Sequence, residues 1–281
     1  MEINFCTYFD SAYLTKARVC HYTLMSHSNA RFFILCFDRH IEQIVYNWKN
    51  TIVITLKEIE TYEPKLLAVK NKRSKKEYYA TITPILPQFI FDKFGIETLF
   101  YTDADMAFWS PAEEIFEVMG NYSLLITPHE NPIAVRCGGV FNVGILGYKN
   151  DKNCREFLEW WEDRCLERCE WQSTSDGHLA DQGYLNVFHQ NPGKFRNVLS
   201  CPQFGINLGP WNLVLHETRQ KNGKIILDDK YNLVCFHYHG CKEQRGECFN
   251  DTGWQVSEWN RKHIYQPYYR WLLYSKNGIL E

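Results

Sequence analysis

Short apolar runs alternate with stretches of helical periodicity from the first residues onward, and no other feature of the chain restricts its fold as much. Such runs suit strands covered on both faces, and their alternation with helices predicts an α/β fold with a mixed, mostly parallel sheet flanked by helices. Residues 3–9 read as the first strand, 31–37 as the second and 51–56 as the third. Residues 98–102 form the next, ending directly at Asp103. Between them, 78–94 carries apolar residues at helical intervals, and Pro84 and Pro87 require a break or a kinked start. Ser110-Pro111 followed by Glu113 and Glu114 reads as a helix start, with Ser at the cap and acids near the positive end. Residues 122–127 and 139–148 read as strands, 151–170 as a long amphipathic helix, and 178–189 as a shorter one. A loop-rich stretch leads to a strand over 233–238 and then to an aromatic, basic helix that Pro267 interrupts.

With 281 residues, 45% of them hydrophobic and 16% aromatic, the chain can bury a large core as a single domain over 1–281. Its 31 Lys and Arg nearly balance 33 Asp and Glu, so it lacks the basic field that holds nucleic acid, and nucleic acid is not an expected partner. The start, Met1-Glu2-Ile3-Asn4-Phe5, has no basic and then apolar leader pattern, and no stretch nears 18 apolar residues. The expectation is a cytoplasmic protein, soluble or peripheral on the inner membrane face. The cations and aromatics of 261–273 could make that membrane contact, or simply pack on their own domain. The eleven Cys are scattered through strand-like and helix-like segments, as expected of reduced thiols. Cys235, Cys241 and Cys248 surround His237 and His239, but lack the paired CxxC spacing of a structural zinc site.

Asp103-Ala104-Asp105 is the element richest in chemistry, because it places two carboxylates at the carboxyl end of an apolar strand, where open α/β sheets bind ligands. Two acids there repel unless a cation joins them, and a hard divalent ion prefers carboxylate and phosphate oxygens. In Phe236-His237-Tyr238-His239-Gly240, strand alternation puts both histidines on one side. A His joining two carboxylates shifts the preference from magnesium towards manganese. His239 is the first choice of ligand, with His237 the alternative, since position alone does not separate them. Gly139-Val140-Phe141-Asn142-Val143-Gly144 puts glycines and an amide into an apolar strand, which marks either close approach of a ligand or another backbone, or a β-bulge. Asn142 can donate to and accept from sugar hydroxyls. Asp181-Gln182, after Asp176-Gly177-His178, offers a carboxylate that could bind a hydroxyl or take its proton, or that merely caps a helix.

Together these residues resemble the GT-A (Rossmann-like) nucleotide-diphospho-sugar glycosyltransferases, more narrowly the retaining family-eight enzymes and related bacterial surface-glycan transferases. The resemblance covers most of the chain and rests on an ordered series. It begins with Glu77-Tyr78-Tyr79-Ala80-Thr81 and Thr83-Pro84, followed by Tyr101-Thr102-Asp103-Ala104-Asp105 and then Gly139 to Gly144. Phe157-Leu158-Glu159-Trp160-Trp161, Ala180-Asp181-Gln182, Gly205-Ile206-Asn207 with Trp211-Asn212-Leu213, and His237-Tyr238-His239-Gly240 complete it. The resemblance implies a divalent metal (manganese or magnesium) on Asp103, Asp105 and a late His, with a nucleotide-sugar donor, mainly a UDP-sugar, as co-substrate. It implies a nucleotide-binding half of about 1–109, with Thr7, Tyr8, Asp10 and Asp38 near base and ribose and the Asp103-Ala104-Asp105 loop at the diphosphate. It implies a half of about 110–281 in which Asn142, Asp181 and Gln182 face the donor sugar and a glycan or lipid-linked acceptor. Arg73, in the basic run of Lys70 to Lys76, would meet the diphosphate or order the Asp103 loop through a bidentate contact. Two departures stand out: Cys241-Lys242-Glu243 follows Gly240 where the family continues into Lys-Pro-Trp, and Val143 replaces a common Ser.

Two other classes compete. A nucleotidyltransferase or pyrophosphorylase would show a glycine-rich loop after the first strand, where Phe9-Asp10-Ser11-Ala12-Tyr13 has none. A non-catalytic carbohydrate- or nucleotide-binding protein would use the aromatics as stacking platforms, and metal-dependent turnover separates it from a transferase.

Overall fold

The computed structural model describes residues 3–171, 178–244 and 246–280. Met1 and Glu2 of the start, and Asp176-Gly177 ahead of Asp181, lie outside the described residues.

β1 (Ile3–Phe9) passes through a single 3-10 turn into α1 (Leu14–His27), followed by β2 (Ala30–Cys36), α2 (Arg39–Val45) and β3 (Thr51–Thr55). Four helices then fill one long crossover: α3 (Leu56–Tyr62), α4 (Lys65–Lys70), α5 (Lys75–Ile82) and α6 (Ile85–Phe94). Local chemistry sets their ends. Thr55 with Glu58, and Ser74 with Glu77, form capping boxes. Pro84 separates α5 from α6, while Pro87 falls in the first turn of α6, where its missing N–H costs nothing. β4 (Thr98–Thr102), β5 (Met106–Phe108), α7 (Glu113–Met119), β6 (Leu124–Pro128), α8 (Pro132–Gly138), β7 (Phe141–Lys149) and α9 (Lys152–Glu167) come next.

The last part uses smaller pieces: a 3-10 turn (Gln182–Asn186), α10 (Val187–Gln190), β8 (Val198–Ser200) and α11 (Pro210–Leu213). β9 (Thr218–Lys221), β10 (Lys224–Leu227) and β11 (Tyr231–Asn232) form an antiparallel meander, followed by β12 (Cys235–His237) and the hairpin β13 (Cys241–Gln244) and β14 (Glu247–Asn250). α12 (Glu258–Asn260), a π turn (Arg261–Tyr265) and α13 (Gln266–Lys276) follow.

Seven strands form the central sheet in the order β3-β2-β1-β4-β7-β6-β8. β7 runs antiparallel to both its neighbours, and the remaining neighbours pair in parallel. Alternation along each strand feeds two cores. Phe33, Leu35, Leu99 and Tyr101 point into one, under α3 to α6 and α9, and Phe5, Phe32, Ile34 and Phe100 point into the other, under α1, α2 and α7. Burial on both faces is why these strands read as continuous apolar runs.

Several local expectations are corrected. Ser110 is not the cap of α7: the N-cap is Ala112, whose N–H donates to Ser28 Oγ at 2.8 Å, while the Ser110 hydroxyl is buried without a partner. Helix α8, with Asn131 at its cap and Pro132 at its start, occupies a stretch not expected to be helical. The 178–189 helix is a 3-10 turn plus the short α10, and the 233–238 strand shrinks to β12. Pro267 does not interrupt the last helix; it sits in the first turn of α13, where proline is favoured. α13 packs along α1, with Ser275 Oγ donating to Thr15 O at 3.1 Å and Arg18 Nη2 to Leu280 O at 2.6 Å. Among the described residues no helix is long and apolar enough to cross a membrane. The cysteines are free thiols, all buried except Cys137.

Candidate active site

The site begins where β4 stops. The Asp103 N–H donates to Gly144 O of the adjacent β7 at 3.0 Å, and Tyr101 OH donates to Asp103 Oδ1 at 2.7 Å, so backbone and side chain of Asp103 are both fixed. β5 pairs antiparallel with β12 in the register that sets His237 opposite Met106, and the Tyr238 N–H donates to Asp105 O at 2.9 Å. That pairing carries His237 to the acids: its Nε2 lies 3.2 Å from Asp105 Oδ1 and 3.5 Å from Asp103 Oδ2. Asp105 and His237 are buried, whereas the Asp103 side chain is 31% exposed, so the cluster opens in one direction. Lys16 Nζ reaches the other Asp105 oxygen, Oδ2, at 3.5 Å.

Two carboxylates and an imidazole with ligand atoms all within 4.8 Å of one another form a donor set suited to a divalent ion. Asn207 fixes the imidazole tautomer. Its Nδ2 donates to Thr127 Oγ1 at 2.7 Å and to Asn142 Oδ1 at 2.9 Å, so its Oδ1, 3.3 Å from His237 Nδ1, is left to accept the ring N–H. That turns the Nε2 lone pair to the acids, as a metal-bound imidazole requires. Without an ion the carboxylates hold a proton there instead: burial lowers the His237 pKa, but attraction to Asp105 and Asp103 more than reverses it. Burial raises Asp105, yet His237 and Lys16 together hold it well below the usual carboxylate range. Asp103 is raised, by burial and by repulsion from Asp105, against the pull of His237.

The glycine-bearing strand proves to be a point of convergence. A Cβ on Gly144 would lie 2.5 Å from Asn207 Oδ1, 2.5 Å from His237 Nδ1 and 2.7 Å from Asn142 Oδ1, so the close approach is made by side chains of this network. The register of β6 against β7 also shifts between Leu125 and Thr127, so an irregularity is present as well. Asn142 is largely committed to protein partners. Its Oδ1 accepts from the Gly144 N–H at 2.8 Å, and its Nδ2 faces Gln182 Oε1 at 3.1 Å and His129 Nε2 at 3.3 Å. Gln182 Oε1 also accepts from the Val143 N–H at 3.1 Å, and its Nε2 donates to Gly138 O at 2.7 Å. Asp181 is buried beside them; burial, with repulsion from Asp103 and against a hydrogen bond from Thr83, pushes its carboxyl up to about 7. Thr83 in turn meets Tyr8 OH at 2.8 Å.

These groups line a cavity of about 630 Å³. One side is formed by Tyr8, Asp10, Tyr13 and Tyr79, the last stacked on Phe37 at 3.5 Å between ring centroids. Asp103, Ala104, Asp105, His237 and His239 also line it, as do Asn142, Asp181, Gln182, His129 and Trp211. His239 shares the cavity with its ring centroid 5.7 Å from that of His237, but the three-ligand cluster forms with His237. Three expected residues do not reach it. Thr7 is buried in β1, with its hydroxyl unpartnered, and Asp38 caps α2 and accepts from Ser11 Oγ at 2.7 Å. Arg73 donates to Thr81 Oγ1 and to Leu166 O, the latter at 2.6 Å. Cys235, Cys241 and Cys248 do not assemble with a histidine, since Asp103, Asp105 and His237 are the one such ligand cluster among the described residues. Sequence reasoning assigned no role to Lys16, His129 or Trp211. Trp211 packs edge-on against His237 at 5.2 Å, and its indole N–H is buried without a partner.

A mostly parallel sheet with one reversed strand beside the strand that ends in paired acids is the GT-A glycosyltransferase fold. The galactosyltransferase LgtC, solved with donor and acceptor sugar analogues, matches with a TM-score of 0.59 at 16% identity over 92% of this chain and 99% of that one. Mouse xyloside xylosyltransferase 1 matches at 0.56 and 12% identity, covering 85% and 98%. GlyE of Streptococcus pneumoniae TIGR4 matches at 0.53 and 15%, covering 99% and 64%. In sequence, two uncharacterised proteins of Bacillus subtilis (strain 168) are similar. YfnF is 29% identical, covering 85% of this chain and 82% of its own length, and YfnD is 26% identical, covering 94% and 87%. No family model matches the chain.

Proposed function

We propose that this chain is a metal-dependent glycosyltransferase that moves a sugar from a nucleotide diphosphate, a UDP-sugar, to a hydroxyl of a glycan or lipid-linked acceptor. The reading rests on one observation above the others: Asp103, Asp105 and His237 converge at the carboxyl end of β4, beside a cavity large enough for a nucleotide sugar. These three residues would hold manganese or magnesium, with His239 adjacent. The bound ion supplies positive charge where the leaving diphosphate gains negative charge. The nucleotide lies against the first half of the chain, near Tyr8, Asp10 and Tyr79, with the Asp103-Ala104-Asp105 loop at the phosphates. The donor sugar and acceptor lie towards Asn142, Asp181, Gln182 and Trp211.

With its carboxyl pushed up to about 7, Asp181 holds a proton much of the time at neutral pH and donates to a sugar hydroxyl as readily as it accepts. Such a carboxyl suits either outcome, and it is the resemblance to retaining enzymes that favours retention of configuration, in which the departing phosphate oxygen takes the acceptor proton and no strong protein base is required. An inverting reaction would instead use Asp181 as the base. A role in surface-glycan assembly on the cytoplasmic face is supported by the resemblance of the ordered motif series to bacterial surface-glycan transferases.

Thermal-shift titration with UDP, GDP, CDP and ADP in manganese tests the reading. A nucleotide at about a hundred times its Kd stabilises the folded state by roughly 2.7 kcal/mol. UDP is expected to give the largest shift, shrinking sharply in chelator. A larger shift with GDP would overturn the donor, and no metal-dependent shift with any nucleotide would overturn the function.

A further inference from the structure

We propose that Lys16 binds the diphosphate of the donor, an inference that rests on the function proposed above. Lys16 lies in the first turn of α1, just after the 3-10 turn that Asp10 caps. That turn carries no acidic residue, and its N-cap, Tyr13, makes no capping hydrogen bond. Ala12 and Tyr13 line the cavity, so the start of α1 opens onto it. The turn ahead of α1 is already capped by Asp10, which accepts from the Ala12 N–H at 2.9 Å, so the case for Lys16 rests on its place beside Asp105, which lines the cavity.

The contacts of Lys16 point the same way. Among the described residues its one hydrogen bond is to Asp105 Oδ2, and at 3.5 Å it is much longer than a well-formed charged hydrogen bond. An ammonium has three donors, so Lys16, with its side chain 24% exposed, retains donors for a ligand. The other oxygen of Asp105 faces His237, so an ion held there and the Lys16 ammonium flank the same carboxylate. Two carboxylates neutralise a divalent ion, and the diphosphate that follows brings negative charge that needs a further cation. Lys16 also lies over the Tyr13 ring at 5.0 Å, but what sets it apart from the other lysines near the cavity, Lys75 and Lys76 of its lining included, is its contact with the acid cluster. Lys75 pairs with Asp10 at 2.7 Å, Lys76 lies over the Trp171 ring, and Lys242, the cation that follows Gly240 in sequence, pairs with Asp251 on the β13-β14 hairpin.

Lys16→Met keeps the apolar stem and the helix propensity while removing the charge. Calorimetric titration of wild type and variant, first with manganese alone and then with UDP in saturating manganese, separates two roles. A phosphate ligand predicts UDP binding weakened by about ten- to a hundredfold. It also predicts manganese binding that is unchanged or tighter, because a cation next to Asp105 has been removed. Lys16→Arg is expected to recover part of the UDP affinity. Equal UDP affinity in wild type and Lys16→Met overturns the proposal. So does an equal loss of manganese and UDP binding, which would make Lys16 a strut for Asp105. If wild-type protein binds no UDP in manganese, the functional reading itself falls and this inference with it.

Discussion

The two sides of the Asp103-Asp105-His237 cluster are built differently. Asp103 and Asp105 stand in a short loop between β4 and β5, with Asp103 hydrogen-bonded to β7 and Asp105 to the residue after β12. His237 arrives at the end of a three-residue strand from the irregular part of the chain, and its ring is aimed by Asn207, which Thr127 and Asn142 hold in turn. The acids owe their place to the local run of the backbone, whereas the imidazole owes its place to a polar network that spans several segments. Damage to the acid side should therefore remove chemistry, and damage to the imidazole side should remove geometry as well.

The largest effect is expected from the ligands themselves. Asp105→Ala and His237→Ala should each lower metal-dependent turnover by about a hundredfold or more, against less than about tenfold for His239→Ala. Manganese titration alongside the melting temperature checks this, and equal losses at His237 and His239 would dissolve the distinction between them.

Asp181 tests the cavity wall between the two sides. Its carboxyl is raised from an ordinary 3.8 to about 7, so the folded protein keeps a proton that the unfolded chain releases, and stability falls as pH rises through that window. Asp181→Asn lacks the penalty. It should be more stable than wild type by up to about 4 kcal/mol at pH 8, with the advantage gone near pH 4. Urea denaturation at both pH values measures it, and a pH-independent difference would show that the carboxyl titrates normally.

A smaller loss, roughly 1–3 kcal/mol, is expected for Gly144→Ala, whose new methyl group must displace Asn207, His237 or Asn142. If the imidazole side depends on that network, manganese affinity should fall with stability. Lost stability with manganese affinity intact would mean that His237 is held by β12 alone.

The same contrast explains what could be read from the sequence. β1 to β4 announce themselves because burial on both faces writes unbroken apolar runs, and the end of β4 locates the acids within the same window. His237 and His239 share one strand parity, so periodicity could not choose between them; the choice is made by the register of β12 on β5, a long-range fact. Lys16 looks like any lysine of an amphipathic helix until Asp105 is seen beside it. Arg73 is singled out by the resemblance, whereas its side chain is bonded to Thr81 and Leu166. Helix α8 was hidden by its brevity between two strands, although Asn131 followed by Pro132 is a regular helix opening.

The packing of α13 against α1 has a consequence for synthesis. α1 carries Lys16, and its flank is covered by the last helix, with Arg18 holding the carbonyl of Leu280. On a ribosome the central sheet can begin to form from the strands already emerged, but the helix bearing Lys16 stays uncovered until α13 clears the exit tunnel. A nascent chain thus holds β4, which leads to Asp103, well before the flank of the helix bearing Lys16 is covered.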